Sequence, residues 1–300
     1  MYKTFIFLKG CFKPSPGENG FTGHPLFDYY WGVELYPCIG NRKEEVSLKV
    51  LINCRFGLAL WQAAVLAACK VHYELNTEIY NRFGMIAWLN PVVVSAILQT
   101  VYLAKFYYWE DGYMQTIDIA LDRFGYYVAW GCIAWVPSFY PLHSYFMIEH
   151  TNASSPKFDF FLVFVLLFGM ISVGLNYWVD YERKYVRDHN GNCKLRGKKP
   201  ILVKAKYRDS KGQIRNSILL ASGSWALARH LNYFFELLIA LSFGLPAGFK
   251  SPFPYFYFFF LFGLLFHREH RDNKKCKEKY GKYWDEYCKL VPYKIIPFVY

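Results

Sequence analysis

The sequence predicts an all-α fold: a polytopic bundle of transmembrane helices with a basic cytosolic loop and a folded C-terminal cytosolic cap. Hydrophobic residues make up 54% of the chain and charged residues only 19%, whereas average domains have about 25% charged residues. The charges are also separated from the apolar residues, which form long uncharged runs. Tyrosine and tryptophan concentrate at the ends of these runs, where amphipathic rings lie among lipid headgroups.

Apolar segments along the chain are the expected membrane spans, because a helix needs about 20 apolar residues to cross a bilayer. The uncharged runs Phe124–Ile148 and Phe160–Val179 are long enough by themselves. The predicted spans are roughly 51–72, 83–105, 124–148, 159–179, 218–249 and 252–267.

The orientation follows from the loop between Arg183 and Arg215, which is rich in lysine and arginine. Loops of this kind face the cytosol by the positive-inside rule. The equally basic cap, residues 268–300, is expected on the same side, so the segment between loop and cap crosses the membrane twice. Because the cations flank apolar spans and no recognition motif accompanies them, the net charge of +12 does not indicate nucleic-acid binding.

A small β-hairpin is expected inside the basic loop. Leu202–Tyr207 alternates weakly between apolar and polar residues, Asp209–Gly212 is a turn signal, and Ile214–Leu219 follows. The chain's eight cysteines show no CxxC or Cys/His spacing, so no metal site is expected.

The cap is too aromatic for a disordered tail. Its cations between Arg271 and Lys279 suit a ligand that carries phosphate groups. The alternative is a basic tail whose lysines reach the membrane surface. The same two interpretations apply to Arg183 and Arg187, which share a helix face at the cytosolic end of a span.

Five residues in the fifth span, Trp225, Arg229, Asn232, Tyr233 and Glu236, are spaced three or four apart and would form a polar stripe along one helix. Polar and ionisable side chains inside a membrane helix usually face a cavity or a partner. The stripe therefore predicts a wall that contacts a polar ligand. An Arg229–Glu236 contact between helices is the structural alternative.

Two acids, Asp118 and Asp122, share a helical face just before the run that begins at Phe124. Carboxyl groups beside aromatic residues suit an apolar substrate that needs a proton. The alternative is a helix N-terminus, which favours carboxylates through its dipole.

Taken in order, these residues resemble the sterol reductase family over nearly the whole chain. The matching motifs are Gly32-Val33-Glu34-Leu35-Tyr36-Pro37, Thr116-Ile117-Asp118, Trp130-Gly131-Cys132, Gly197-Lys198-Lys199-Pro200, Ser222-Gly223-Ser224-Trp225, Ala228-Arg229-His230-Leu231-Asn232-Tyr233 and Arg271-Asp272 with Cys276 and Lys279-Tyr280-Gly281. The chain departs from the family pattern at Cys38 and Arg183, where arginine and lysine are usual, and at Ser224 and Glu236. Family members carry further helices before the position that matches the start of this chain.

The resemblance implies NADPH-dependent reduction of the C7–C8 double bond of 5,7-diene sterols in the endoplasmic reticulum membrane. The NADPH contacts that it implies lie at the end of the basic loop, in the polar stripe and in the cap. Arg229 is included among the expected cofactor-binding residues because it belongs to the polar stripe. The expected cofactor-binding residues are Arg183, Arg187, Leu220, Trp225, Arg229, Asn232, Tyr233, Asp272, Cys276, Lys277, Glu278, Lys279, Tyr280 and Tyr287.

Protonation of C8 would leave an allylic cation at C7, which a hydride from the nicotinamide quenches. The expected proton path consists of Asp272 with Tyr233 and Glu236, and then Asp118 or Asp122. The expected partners are a sterol, the lipid bilayer and other membrane enzymes of the sterol pathway.

Three alternatives stay open at this point. A C14 sterol reductase would act on another double bond, and a non-catalytic homologue would bind sterol without turnover. A methyltransferase related to the isoprenylcysteine enzymes would show His-Pro where this chain has His230-Leu231.

Overall fold

The computed structural model describes residues 2–12, 20–39, 46–114, 116–120, 122–150, 159–208 and 212–300. The chain divides into two compact units. Unit 1 comprises Met1–Val163 and Phe243–Tyr257, and unit 2 comprises Phe164–Ser242 and Phe258–Tyr300. The described residues are mostly helical, as predicted, although each unit also contains a short antiparallel pair of strands.

Unit 1 consists of helices joined by tight breaks. Its α-helices are α1 (Tyr2–Phe12), α2 (Pro25–Trp31), α3 (Leu48–Val50), α4 (Leu58–Leu75), α5 (Thr77–Phe83), α6 (Pro91–Tyr108), α7 (Glu110–Tyr113), α8 (Ile117–Ala120), α9 (Tyr126–Trp130), α10 (Val136–Phe139) and α11 (Leu142–His150). Two π-helical segments, Leu51–Gly57 and Gly131–Trp135, and a 3₁₀ turn, Gly84–Trp88, connect some of them. Strands β1 (Cys38–Ile39) and β2 (Val46–Ser47) pair antiparallel.

A buried hydrogen-bond network holds the core of unit 1 together. The indole of Trp61 donates to Gln99 Oε1 at 2.8 Å, and Gln99 Nε2 donates to Ser144 Oγ at 2.9 Å. Ser95 Oγ donates to the backbone carbonyl of Phe243 at 2.8 Å. Because these polar groups are buried and paired, they crosslink α4, α6 and α11 in one arrangement.

The predicted span 124–148 is not one helix. The structure divides it into α9, a π-helical segment, α10 and α11, with a turn at Tyr140. Pro141 explains the break, since proline has no N–H group to continue the helical hydrogen bonds. The predicted span 83–105 likewise starts with a 3₁₀ turn, and its helix begins only at Pro91.

Unit 2 is built around one long helix and a hairpin. Its elements are α12 (Phe160–Asp188), which starts in unit 1, β3 (Leu202–Arg208), β4 (Ile214–Leu220), a 3₁₀ turn (Gly223–Ala226), α13 (Leu231–Gly244), α14 (Phe256–Tyr280) and α15 (Lys282–Leu290). The 3₁₀ turns Leu245–Ala247 and Phe253–Tyr255, in unit 1, follow α13 and precede α14.

The predicted hairpin is confirmed. Strands β3 and β4 pair antiparallel, from Leu202 opposite Leu220 to Arg208 opposite Ile214. Residues 209–211 of the expected turn lie outside the described residues. The apolar face of the hairpin packs on α15 through Val203, Trp284 and other core residues, while its lysines are exposed.

The predicted span 218–249 contains less helix than expected. Strand β4 extends to Leu220, and α13 begins only at Leu231. The backbone N–H groups of Arg229 and His230 donate to the carbonyls of Tyr293 and Lys294, at 2.9 and 2.7 Å. These bonds to the C-terminal segment replace the helical ones, so the polar stripe does not lie on one helix.

Two stretches of the described chain are long and apolar enough to cross a membrane as single helices: Leu48–Leu75 and Phe160–Asp188. A third candidate is the pair Thr77–Trp88 and Pro91–Tyr108, which bends by 52° at its break. Helix α12 continues beyond the predicted end at 179, and α14 continues beyond 267 into the cap. The fold is thus that of a helical membrane protein.

Candidate functional site

The last turns of α12 are polar, and they begin the candidate site. Arg183 Nη2 lies 3.3 Å from Asp180 Oδ1, and the Arg183 guanidinium lies 4.5 Å from the ring centre of Trp225. The indole of Trp225 donates to the backbone carbonyl of Val179 at 2.8 Å, which fixes the ring. Arg183 is therefore held between a carboxylate and an aromatic face.

The carboxylate of Glu182 positions the turn that carries Trp225. It is 2% exposed and accepts the backbone N–H of Ser224 at 2.7 Å. The Trp178 indole and the Arg196 guanidinium also donate to it, at 3.1 and 3.3 Å. Sequence reasoning missed Glu182, because a charge near the end of a span normally indicates the membrane surface.

Gly223 allows the Glu182 carboxylate to approach the backbone of this turn closely. It adopts φ +64°, and a Cβ there would lie 2.8 Å from Glu182 Oε2. We expect Gly223→Ala to lower the stability of unit 2 by about 2 kcal/mol, because alanine is strained at this φ and crowds the carboxylate. A thermal melt of the detergent-solubilised protein measures the change.

Gly197→Ala is the matched control for that melt. Gly197 has φ +81°, but among the described residues beyond its chain neighbours no atom lies within 4 Å of the position that an alanine Cβ would occupy. Equal destabilisation by the two variants would show that backbone strain alone, and not contact with Glu182, matters at Gly223.

Asp180 also reaches α13. Asn232 Nδ2 donates to Asp180 Oδ1 at 3.3 Å, so one carboxylate joins Arg183 to Asn232. Asn176 donates to the Asn232 carbonyl at 2.9 Å and to Glu236 Oε2 at 3.1 Å. Asp180 and Asn176 were missed as well, although their spacing from Arg183 places them on nearby turns of α12.

The acid Asp272 lies on α14 and contacts two side chains. Cys276 Sγ donates to Asp272 Oδ2 at 3.8 Å, and His230 Nε2 lies 3.5 Å from the same oxygen. The ring of His230 stacks on Tyr233 with centroids 4.7 Å apart. Asp272, His230 and Tyr233 thus form one cluster, and the sequence had indicated only two of them as site residues.

Burial sets the protonation behaviour of this cluster. It raises the pKa of Asp272 above its ordinary value, while the positive charge of Arg183 and the hydrogen bond from Cys276 act in the opposite direction. Burial and the neighbouring Asp272 carboxylate raise the pKa of the Cys276 thiol to about 12. The carboxyl therefore holds its proton to higher pH than an exposed aspartate does, and the thiol remains protonated near neutral pH.

Arg229 has a different place from the one predicted. The residue is only 7% exposed, and Nη1 donates to the backbone carbonyls of Val291 and Pro292 at 3.1 and 3.3 Å. No contact with Glu236 is formed among the interactions described for Arg229. Arg229 therefore fastens the C-terminal segment to the start of α13, and its predicted contact with the cofactor stays a prediction.

The remaining predicted cofactor residues divide between the core and the surface. Leu220 and Tyr287 are buried in apolar clusters, and Tyr280 lies with its hydroxyl 3.3 Å from Ser217 Oγ. On the surface, Lys277 pairs with Asp285 at 2.9 Å and Lys279 lies 4.1 Å from the ring centre of Tyr207. Glu278 and Arg187 are exposed.

Asp118 and Asp122 belong to unit 1, whereas the cluster just described is formed within unit 2. Asp118 lies in α8, and its side chain is outside the described residues. The backbone carbonyl of Asp122 accepts a hydrogen bond from the buried side chain of Lys49. The roles of Asp118 and Asp122 in the proton path stay predictions.

The donor set of unit 2 fits a dinucleotide. Arg183 and Arg187 lie one turn apart on α12 and supply the planar cations that phosphates favour. Asn232 Oδ1 is buried and accepts no hydrogen bond within the described residues, so it is open to an amide donor. These features suit the phosphates and the carboxamide of NADPH.

Comparison with known proteins gives matches along the whole chain. Residues 2–300 match the model of a family described as "Ergosterol biosynthesis ERG4/ERG24 family". A 7-dehydrocholesterol reductase of Arabidopsis thaliana is 38% identical over 300 residues, which are 100% of this chain and 66% of that protein. A 7-dehydrocholesterol reductase of Xenopus laevis is 34% identical over 295 residues, which are 98% of this chain and 59% of that protein.

A relative with another name matches nearly as well. The Delta(14)-sterol reductase erg24 of Schizosaccharomyces pombe is 34% identical over 303 residues, which cover 99% of this chain and 64% of that protein. The chain thus spans between 59% and 66% of the length of these relatives.

Proposed function

Because the chain belongs to the ERG4/ERG24 family of sterol reductases, we propose that it reduces the C7–C8 double bond of 5,7-diene sterols with NADPH. The observation that carries the proposal is the Asp272 carboxyl group. Burial raises its pKa, and the unit that contains it also supplies two arginines for a phosphorylated cofactor. An acid beside a hydride donor is what reduction of an unactivated double bond requires.

Arg183 and Arg187 would hold the phosphates of the cofactor, and Asn232 would hold its carboxamide. Trp225 keeps Arg183 in place, and Asp180 holds Arg183 and Asn232 together. When bound, NADPH supplies the hydride that C7 receives. The surface residues Lys277, Glu278 and Lys279 remain proposed contacts of the cofactor's outer part.

The side chains around Asp272 deliver the proton to C8. Asp272 donates it as the C8–H bond forms and is left as a carboxylate. Tyr233 lies beside the acid through its stacked contact with His230, and Glu236 is held in the same unit by Asn176. Burial raises the pKa of the Asp272 carboxyl, which favours its protonated form before the substrate accepts the proton.

Arg183→Gln is expected to weaken NADPH binding by about tenfold, which corresponds to about 1.4 kcal/mol, because a charge-assisted contact to phosphate is lost. Titration of the cofactor against the protein's tryptophan fluorescence measures the affinity. Arg208→Gln is the control, since it removes the same charge from the exposed end of β3. Equal weakening in both variants would mean that only overall charge matters.

Reduction of the C14–C15 double bond is the second candidate, since a Delta(14)-sterol reductase is 34% identical to this chain. The test offers the purified protein one sterol with a 5,7-diene and one with a C14–C15 double bond, and follows NADPH oxidation. We expect oxidation with the diene and loss of its conjugated absorbance. If NADPH were oxidised only with the C14-unsaturated sterol, the protein would be a C14 sterol reductase instead.

The same assay distinguishes the non-catalytic alternative, in which sterol and NADPH bind without turnover.

We place the protein in the endoplasmic reticulum membrane as a multi-pass protein, with the basic loop and the C-terminus in the cytosol where NADPH is available. The apolar spans and the positive-inside rule support this orientation. Other membrane enzymes of the sterol pathway are its proposed partners.

A further inference from the structure

His230 is a buried titratable group that the reaction proposed above leaves without a role. Its side chain is 11% exposed, and its Nε2 atom makes no hydrogen bond within the described residues. Buried polar atoms are nearly always paired, so an unpaired one in a native structure calls for an explanation. The atom lies 3.5 Å from Oδ2 of Asp272, close enough for a small rotation to form a hydrogen bond.

The imidazole ring is held in this orientation from two sides. It stacks on Tyr233 with an angle of 17° between the rings. The backbone N–H of His230 donates to the carbonyl of Lys294 at 2.7 Å, which fixes the residue at the start of α13. The approach of Nε2 to Asp272 is therefore a consequence of the fold and not of a freely rotating side chain.

Asp272 needs a proton source after every turnover, because the sterol keeps the proton that it receives. Its other described side-chain partner is Cys276, a poor source since burial raises the pKa of that thiol to about 12. Arg183 acts on Asp272 only as a charge, because guanidinium groups do not release protons. An imidazole can give a proton at one nitrogen and take one up at the other.

We propose that His230 returns a proton to Asp272 after each reduction, an inference that rests on the proposed sterol reductase function. The Asp272 proton forms the C8–H bond, the hydride of NADPH forms the C7–H bond, and a carboxylate and NADP⁺ remain. A proton from solvent then adds to Nδ1 of His230 as the Nε2–H bond breaks and that proton moves to Oδ2, so the ring stays neutral throughout. Exchange of the ring protons with solvent restores the Nε2–H tautomer. The net reaction consumes one proton and one hydride per sterol.

Charged groups from each neighbouring element act on this exchange. Arg183 of α12 and Arg229 before α13 place positive charge near the ring, and Asp272 of α14 lies opposite them. Tyr233 of α13 covers one face of the imidazole. Burial, and after it the two arginines, lower the pKa of His230, so the ring takes up a proton at one nitrogen only as it gives one up at the other.

His230→Gln tests the inference, because glutamine keeps a polar side chain but does not exchange protons near neutral pH. We expect NADPH affinity and the rate of the first turnover to stay within about threefold of wild type, while steady-state turnover falls by about a hundredfold. The variant would then show a burst of one sterol per protein. His189→Gln, in the exposed turn directly after α12, is the control and should show neither effect.

A second measurement does not depend on turnover rates. Infrared difference spectra after a single turnover should show loss of the protonated carboxyl band of Asp272, identified by its absence in Asp272→Asn. We expect the band to return quickly in wild type, slowly in His230→Gln, and quickly again in His230→Ala supplied with imidazole.

Unchanged steady-state turnover in His230→Gln would overturn the inference. A parallel fall in NADPH affinity and in the first turnover would also overturn it, since His230 would then only support the fold. Failure of the wild-type protein to reduce any sterol would contradict the proposed function itself, which separates the two claims.

Discussion

Asp272→Asn is expected to reduce sterol turnover by about a thousandfold while NADPH affinity changes by less than about threefold. Asparagine has nearly the same shape and keeps an acceptor for the Cys276 thiol, but it has no proton to give. General acid catalysis typically contributes between about a hundredfold and ten-thousandfold to a rate. Steady-state assays and cofactor titration on the same preparation separate the two effects.

The raised pKa of Asp272 also predicts how turnover changes with pH. The pKa of Asp272 is raised by burial, so the carboxyl stays protonated at higher pH than an exposed aspartate. Wild-type turnover should therefore be present at low pH and fall as pH rises through the folded pKa. The residual turnover of Asp272→Asn should not show this transition. Full turnover in the variant would remove Asp272 from the proton path.

Arg229→Ala is expected to destabilise unit 2 by about 3 kcal/mol and to abolish activity as a consequence. The buried guanidinium donates to the carbonyls of Val291 and Pro292, and its removal leaves those groups without their donor. The adjacent bonds from the backbone of Arg229 and His230 to Tyr293 and Lys294 would be weakened as well. Thermal melting and limited proteolysis of the C-terminal segment measure the effect.

Arg229→Lys is the informative companion variant, since lysine keeps the charge but has no planar fork. We expect an intermediate loss of stability, with NADPH affinity retained in the fraction that remains folded. Loss of NADPH affinity at unchanged stability in either variant would instead support the contact between Arg229 and the cofactor that the sequence predicts.

The parts of the fold that depend on local pattern were predictable from sequence. Alternation over Leu202–Tyr207, with the turn signal that follows it, predicted the hairpin, because one face of β3 packs on α15 and the other is exposed. Helix α12 was visible as a long apolar run that ends in Arg183 and Arg187. The hairpin was predictable because one of its faces is buried, and α12 was predictable because it is one long apolar stretch of chain.

The parts that depend on distant contacts were not predictable. The spacing of Trp225 and Arg229 fits a helix, yet the N–H groups of Arg229 and His230 pair with carbonyls more than 60 residues away. Likewise, Asp180 and Glu182 look like surface charges until the turns that they hold are placed against them. Local periodicity contains no information about such partners.

The most direct test of the account is a sterol profile of cells that lack their own C7 reductase and express this 300-residue chain. Asp272→Asn, expressed to the same level in membranes, is the matched control. The account predicts that the 5,7-diene sterol disappears with the wild-type chain and persists with the variant. A profile in which the diene persists equally with both chains would contradict the assignment of C7–C8 reduction to the Asp272 cluster.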